Sequence, residues 1–273
     1  MNSRPDYGRP RSLVMRNRAK LILSMTALLT AAFCTGQQTP TLTATPNRPT
    51  VTNTAETTQF GVLELELGVS AASRQQSIPG LLKFGLLRDV ELDWAGSPWL
   101  HDADVHYSGV SDNYPGIRWR FLHQSQHQPT LTVQYFSKLP SAGATEGSGE
   151  VDHTLMLLAS KDLPANFHLD VNFGHEWLGR ASRSGFDGAL LESFTLSHPV
   201  KGNWGLSMEF SGATSPNTGT PAVVQHLWAV SYTVKPRLVL DSAVQVRVHG
   251  SVPRVVYLGG ITYSIADLYH HSY

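Results

Sequence analysis

Ser160, His168 and Asp170 are the residues of this chain whose types most invite a chemical reading. They lie on two runs, EVDHTLMLLAS (150–160) and NFHLDVNFGHEW (166–177), joined by the short link KDLPAN. A two-stranded hairpin would bring them to one end of one face, where a serine nucleophile, a histidine base and an orienting acid could meet. The competing reading, the stronger of the two, is a set of interior hydrogen bonds. HDADVH (101–106) offers His and Asp ligands to a cation, but a solvated loop accounts for it better. The chain has no Gly-x-Ser-x-Gly elbow, phosphate loop, Cys-x-x-Cys pair or basic–aromatic patch. No catalytic set, metal site or cofactor is therefore assigned, and nucleic acid is not an expected partner.

The elements that must position these groups read as strands. In FHLDVNFGHEW (167–177), Phe167, Leu169, Val171, Phe173 and Trp177 alternate with His168, Asp170, Asn172, Gly174 and Glu176, the period of a strand with two unlike faces. Similar runs follow one another with no convincing helix between them: 61–69, 80–87, 90–97, 114–122, 129–139, 150–160, 166–177, 187–197, 203–212, 221–234, 237–248 and 253–265. That makes about twelve, each close to the length that crosses a tilted barrel wall. Short turns such as HQSQHQ, KDLPAN, HPVKGN and KPR alternate with longer Gly/Ser/Asp-rich links such as PWLHDADVHYSGVSDN and PSAGATEGSG. With the short link around Gly250 as the exception, this sorting puts the short turns at one end of an up-and-down barrel, the periplasmic end in outer-membrane proteins. In the run 187–197, Glu192 shares its parity with Phe194 and Leu196, which leaves its register open.

Composition agrees with a barrel. Among 273 residues, 21 basic side chains balance 21 acidic ones, and charged residues make up only 15%. Hydrophobic content is 41% and mean hydropathy is −0.16, too low for a helical membrane protein and natural for walls that alternate apolar and polar residues. After Arg16, Arg18 and Lys20, the apolar run LILSMTALLTAAF ahead of Cys34 and Thr35 reads as a secretory signal within 1–36, with Met15 an alternative start. The lone cysteine excludes an internal disulfide. Residues 37–60, rich in Thr, Pro and Asn, show neither period and read as an extended arm, either a linker or a segment tucked into the barrel. The barrel is expected over 61–265, followed by a tail over 266–273.

On most strands the bulky set, for example Trp204, Leu206, Met208 and Phe210, is expected to face outer-membrane lipid, with Trp and Tyr gathered near strand ends. The opposite set is expected to line a lumen: Glu64, Glu66, Lys83, Glu91, Asp93, Arg118, Arg120, Asp152, His168, Asp170, Asn172, Glu176, Glu209, Asp241, Gln245 and Arg247. These charges either line a narrow water-filled pore that selects small solutes or pair with one another and close the interior. A soluble antiparallel sandwich is the alternative fold, and a membrane-embedded hydrolase a further functional alternative.

RPTVTNTAETTQFGVLELELG (48–68), SGEVDHTLMLLASKDLPANFHLDVNFGHEWLG (148–179) and LWAVSYTVKPRLVLDSAV (227–244) resemble the bacterial outer-membrane proteins grouped under the MetA pathway of phenol degradation. The likeness covers nearly all of the chain after residue 45. It implies a transmembrane β-barrel in the outer membrane, inserted by the barrel-assembly machinery, and passive uptake of small aromatic or hydrophobic compounds. It supplies no catalytic residues. One departure is the end of the chain: similar barrels end on a terminal aromatic, whereas here GGITYSI is followed by ADLYHHSY, so the insertion signal is either Ile265 or the final Tyr273.

Overall fold

The structure, a computed structural model, describes residues 41–142, 149–181 and 184–269. The signal region, Cys34 and Tyr273 lie outside the described residues. Strands form where β-branched and aromatic residues alternate with polar ones: β1 (Val62–Ala71), β2 (Gln75–Ser77), β3 (Gly80–Leu87), β4 (Val90–Gly96), β5 (Leu100–Asp102), β6 (Tyr107–Gly109), β7 (Tyr114–Leu122) and β8 (Thr130–Lys138). They continue as β9 (Asp152–Asp162), β10 (His168–Gly179), β11 (Phe186–Lys201), β12 (Trp204–Ala213), β13 (Val223–Lys235), β14 (Leu238–His249) and β15 (Val255–Asp267).

Each long strand pairs antiparallel with the next, and β15 returns to β1, from Val62↔Asp267 to Ala71↔Tyr257. β1, β3, β4 and β7 to β15 thus close a twelve-stranded barrel. The short strands β2, β5 and β6 extend the sheet from the end of β1 (Ser70↔Ser77) at the long-loop end. The twelve runs expected from sequence are the twelve barrel strands; what periodicity did not show is this small extension, whose strands of three residues are too short to display a period.

Packing is inverted relative to a soluble domain. Among the described residues nine apolar side chains are buried against twenty-six polar or charged ones, while Phe173, Trp119, Trp228 and Tyr257 are more than half or half exposed. Each such half-exposed side chain left in water would forgo about 1 kcal/mol, and the sum over the wall makes the outer surface one built for hydrocarbon. The sandwich reading fails on this inversion. β11 also acquires a register: Phe194 opposes Val171 and Glu192 opposes Phe173, which puts Glu192 on the outer face, beside Gly212 near the long-loop end of β12.

The core is the chain's own arm. Residues 41–60 enter at the short-turn end, where Ala44 N–H donates to Pro236 O, and rise inside the barrel to Arg48. They descend again to Phe60, and Gly61, at φ +79°, turns the chain into β1. Asn47, Thr52, Ala55, Thr57 and Thr58 are buried. Phe60 then packs at a tilt against Tyr269, which also meets Phe84 edge-on, so the last described residue clasps the seam beside the arm's exit.

Candidate functional site

The inward face of β1, β3, β4 and β7 carries an ionic ladder set by cross-strand register. Glu64 opposes Lys83, Lys83 opposes Asp93, and Glu91 opposes Arg118. Lys83 Nζ lies 2.6 Å from Glu64 and 2.7 Å from Glu66; Arg118 Nε lies 3.1 Å from Asp93 and 3.3 Å from Glu91. All six side chains are essentially out of contact with solvent. Four carboxylates share two cations, and desolvating each ion costs several kcal/mol, so further donors are needed. The arm supplies them: Thr45 N–H donates to Glu64 (3.0 Å), Asn47 N–H to Glu66 (2.8 Å) and Thr58 N–H to Glu91 (2.5 Å). Bonds of an amide to an ionised acceptor are about twice as strong as neutral ones. Lys83 in turn donates to Thr45 O (2.5 Å) and Arg118 to Asn47 Oδ1 (3.4 Å).

The descending leg is held by the rest of the wall. Thr52 N–H donates to Glu209 (2.7 Å), whose same oxygen accepts the Thr195 hydroxyl (3.1 Å). Asn53 Nδ2 donates to Gln134 (3.1 Å), and Asn172, with its amide oriented to suit its neighbours, accepts Asn53 N–H (2.8 Å) and donates to Asn53 O (2.9 Å). Ala55 N–H donates to Ser160 Oγ (2.7 Å), and Thr132 donates to Ala55 O (2.5 Å). Glu56 pairs with Arg120, which also binds Asp89 at 2.9 Å. Across the lumen, Arg48 reaches Asp241 at 3.3 Å. Three inward glycines make the room: a Cβ would stand 2.1 Å from Gln59 O at Gly85, 2.1 Å from Arg48 Nη2 at Gly68, and 2.6 Å from Arg48 Nε at Gly260.

Ser160, His168 and Asp170 do meet, in an order that does not make a triad. The Ser160 hydroxyl donates to Asp170 (2.5 Å) and not to His168, whose ring bridges Asp162 (2.6 Å) and Asp170 (3.2 Å). A nucleophile must hydrogen-bond its base; here Ser160 instead accepts the arm's Ala55 N–H. Asp152 pairs with Lys138 and accepts Gly179 N–H (2.8 Å) towards the long loops, where Glu176 opposes Thr154. Gln245 is buried, and Arg247 folds onto the β14–β15 turn through Val252 O (2.8 Å). In HDADVH, Asp102 accepts Gln75 Nε2 and Asp104 N–H, both 2.7 Å, and Asp104 pairs with Arg74. Among the described residues no His/Cys/Asp/Glu group has a metal-holding arrangement.

Beside the arm, against β10 to β14, a cavity of about 1200 Å³ opens at the short-turn end. Arg48, Asp170, Thr195, Ser207 and Ser231 line it. Sequence reasoning missed Arg48, Asn47, Glu56 and the hydroxyl rows of Thr130, Thr132, Thr195 and Ser264, which are neither charged wall residues nor part of a motif. The signal that points to them is Gly68, Gly85 and Gly260, glycines at inward strand positions where a close approach is the usual cause.

No protein-family model matches this chain, and no curated protein sequence does. Solved structures do. An outer-membrane channel from Pseudomonas putida F1 superposes with a TM-score of 0.62 at 10% identity, over 77% of this chain and 97% of that one. The NanC porin gives 0.56 at 8% identity over 74% and 100%, and the KdgM porin 0.54 at 9% over 74% and 99%. At such identities the likeness is one of fold: this chain has the fold of outer-membrane β-barrels.

Proposed function

We propose that this protein is an outer-membrane channel for small solutes, held shut by its own N-terminal arm. The observation that carries the reading is a closed barrel in which five backbone N–H groups of residues 45–58 donate to five polar side chains of the inner wall. A barrel built only as a scaffold could pair its charges with one another; here four wall carboxylates, Glu64, Glu66, Glu91 and Glu209, take arm N–H groups that a passing solute can replace. The neighbours of like fold are described as channels and porins, which supports the same reading. The resemblance to the phenol-degradation group extends the solute class to small aromatic compounds, and a phenolic hydroxyl is a donor that such carboxylates accept. Outer-membrane insertion by the assembly machinery belongs to this proposal too.

The test is conductance in planar bilayers of the protein with residues 41–60 present and deleted, the fold of each checked by heat-modifiable gel mobility. The full chain is expected to conduct rarely and the arm-deleted barrel steadily. A folded, arm-deleted barrel that passes no current would overturn the channel reading and leave the plugged scaffold in its place.

A further inference from the structure

We infer that the Asp241 side of the lumen is a receptor for a guanidinium-type cation, occupied by Arg48 as a tethered ligand that a free solute of the same chemistry displaces. The consequence for opening rests on the channel reading; the binding itself does not. Arg48 Nε lies 3.3 Å from Asp241 Oδ2, and Nη2 lies 3.4 Å from Oδ1 and 3.0 Å from Gly259 O. Two carboxylate oxygens and one carbonyl thus meet a planar fork of donors, a shape that suits a guanidinium and not a compact ammonium. The floor beneath is Gly68 paired with Gly260, and any side chain at either position would stand where the guanidinium is.

Two further features make the occupant exchangeable. Lys83 and Arg118 are 1% exposed and locked between carboxylates, whereas the Arg48 side chain is 12% exposed and lines the cavity open at the short-turn end. The Asp241 side chain, 2% exposed beneath the arm, has Arg48 as its salt-bridge partner among the described residues, so departure of Arg48 uncovers a carboxylate without its counter-ion. A small solute with a guanidinium end fits that requirement.

The test uses the refolded full chain carrying Arg48→Ala, with methylguanidinium as the probe and tetramethylammonium, of equal charge but without N–H groups, as the control. Calorimetry is expected to show methylguanidinium binding to R48A, about tenfold weaker apparent binding to the wild type, where Arg48 competes, and none to R48A/D241N. Equal binding of the two cations, or binding that survives D241N, overturns the receptor. If R48A/D241N does not fold, R48A/G68A, which fills the floor and keeps the carboxylate, must lose binding for the receptor to stand. Methylguanidinium on both sides of a bilayer is then expected to raise wild-type conductance. No rise in a preparation whose arm-deleted form conducts overturns displacement alone, and no current from the arm-deleted form overturns the channel reading instead.

Discussion

At the scale of single residues, the interior is organised by charges that cannot be removed singly. Arg118 is 1% exposed between Glu91 and Asp93, and truncating it strands two carboxylates in a space closed to water. Arg118→Ala is expected to destabilise the barrel by about 3–5 kcal/mol, read as a lower denaturant midpoint for unfolding from lipid vesicles; unchanged stability would mean that water reaches the pair. Gly85 acts through shape. Its missing Cβ would lie 2.1 Å from the backbone oxygen of Gln59, an atom that cannot swing aside as a side chain does. Gly85→Val should therefore push the descending leg off the wall and raise conductance while the fold persists, because the outward residues Phe84 and Leu87 are untouched. A valine variant as quiet as wild type would show that the leg is not seated where Gly85 makes room.

At the scale of elements, the strands were legible, while the arm was legible as an extended segment but not in its seat within the barrel, for one physical reason. A strand declares itself in its own residues, through the alternation of Leu63, Leu65 and Leu67 with Glu64 and Glu66. An arm without regular structure is defined by partners elsewhere: Arg48 bonds to Asp241 across 193 positions and Thr52 to Glu209 across 157. Glu192 is intermediate. Its parity with Phe194 was visible, but only pairing with Phe173 and Gly212 places it on the outer face near the end of β12. The Ser160–His168–Asp170 cluster was legible as a cluster and misleading as chemistry, since the hydroxyl's direction depends on the arm's Ala55. That same cluster gives the test of the arm as a moving part. Thr54 Oγ1 and Ser160 Oγ are 3.2 Å apart, so Thr54→Cys with Ser160→Cys, in a chain with Cys34→Ser, places two sulfurs within reach of a disulfide. The oxidised protein is expected to stay closed and to gain conductance on reduction. Identical currents before and after reduction would show that opening does not require the descending leg to leave.

At the scale of the whole molecule, the outer and inner surfaces answer to different solvents, and each makes a prediction that the other does not. Phe173, 54% exposed midway along β10, lies in the hydrocarbon belt; Phe173→Arg is expected to cost about 2–4 kcal/mol, with no change in ion selectivity. On the proposed channel reading, the inner surface is expected to set the selectivity. Glu209 takes its backbone donor from Thr52, and Asp241 its cation from Arg48, so when the arm leaves Glu209 keeps the Thr195 hydroxyl but loses that N–H, and Asp241 loses its cation, while Lys83 and Arg118 stay neutralised by the acids beside them. Released carboxylates without fixed counter-ions attract mobile cations into a narrow lumen. The arm-deleted channel is thus expected to be cation-selective, with a reversal potential in a KCl gradient that moves towards zero in Glu209→Gln with Asp241→Asn. High salt should weaken the preference by screening these charges. An anion-selective arm-deleted channel would mean that Arg120 or Arg247, at the two ends of the lumen, governs passage, and the carboxylates that hold the arm would then be structural anchors alone.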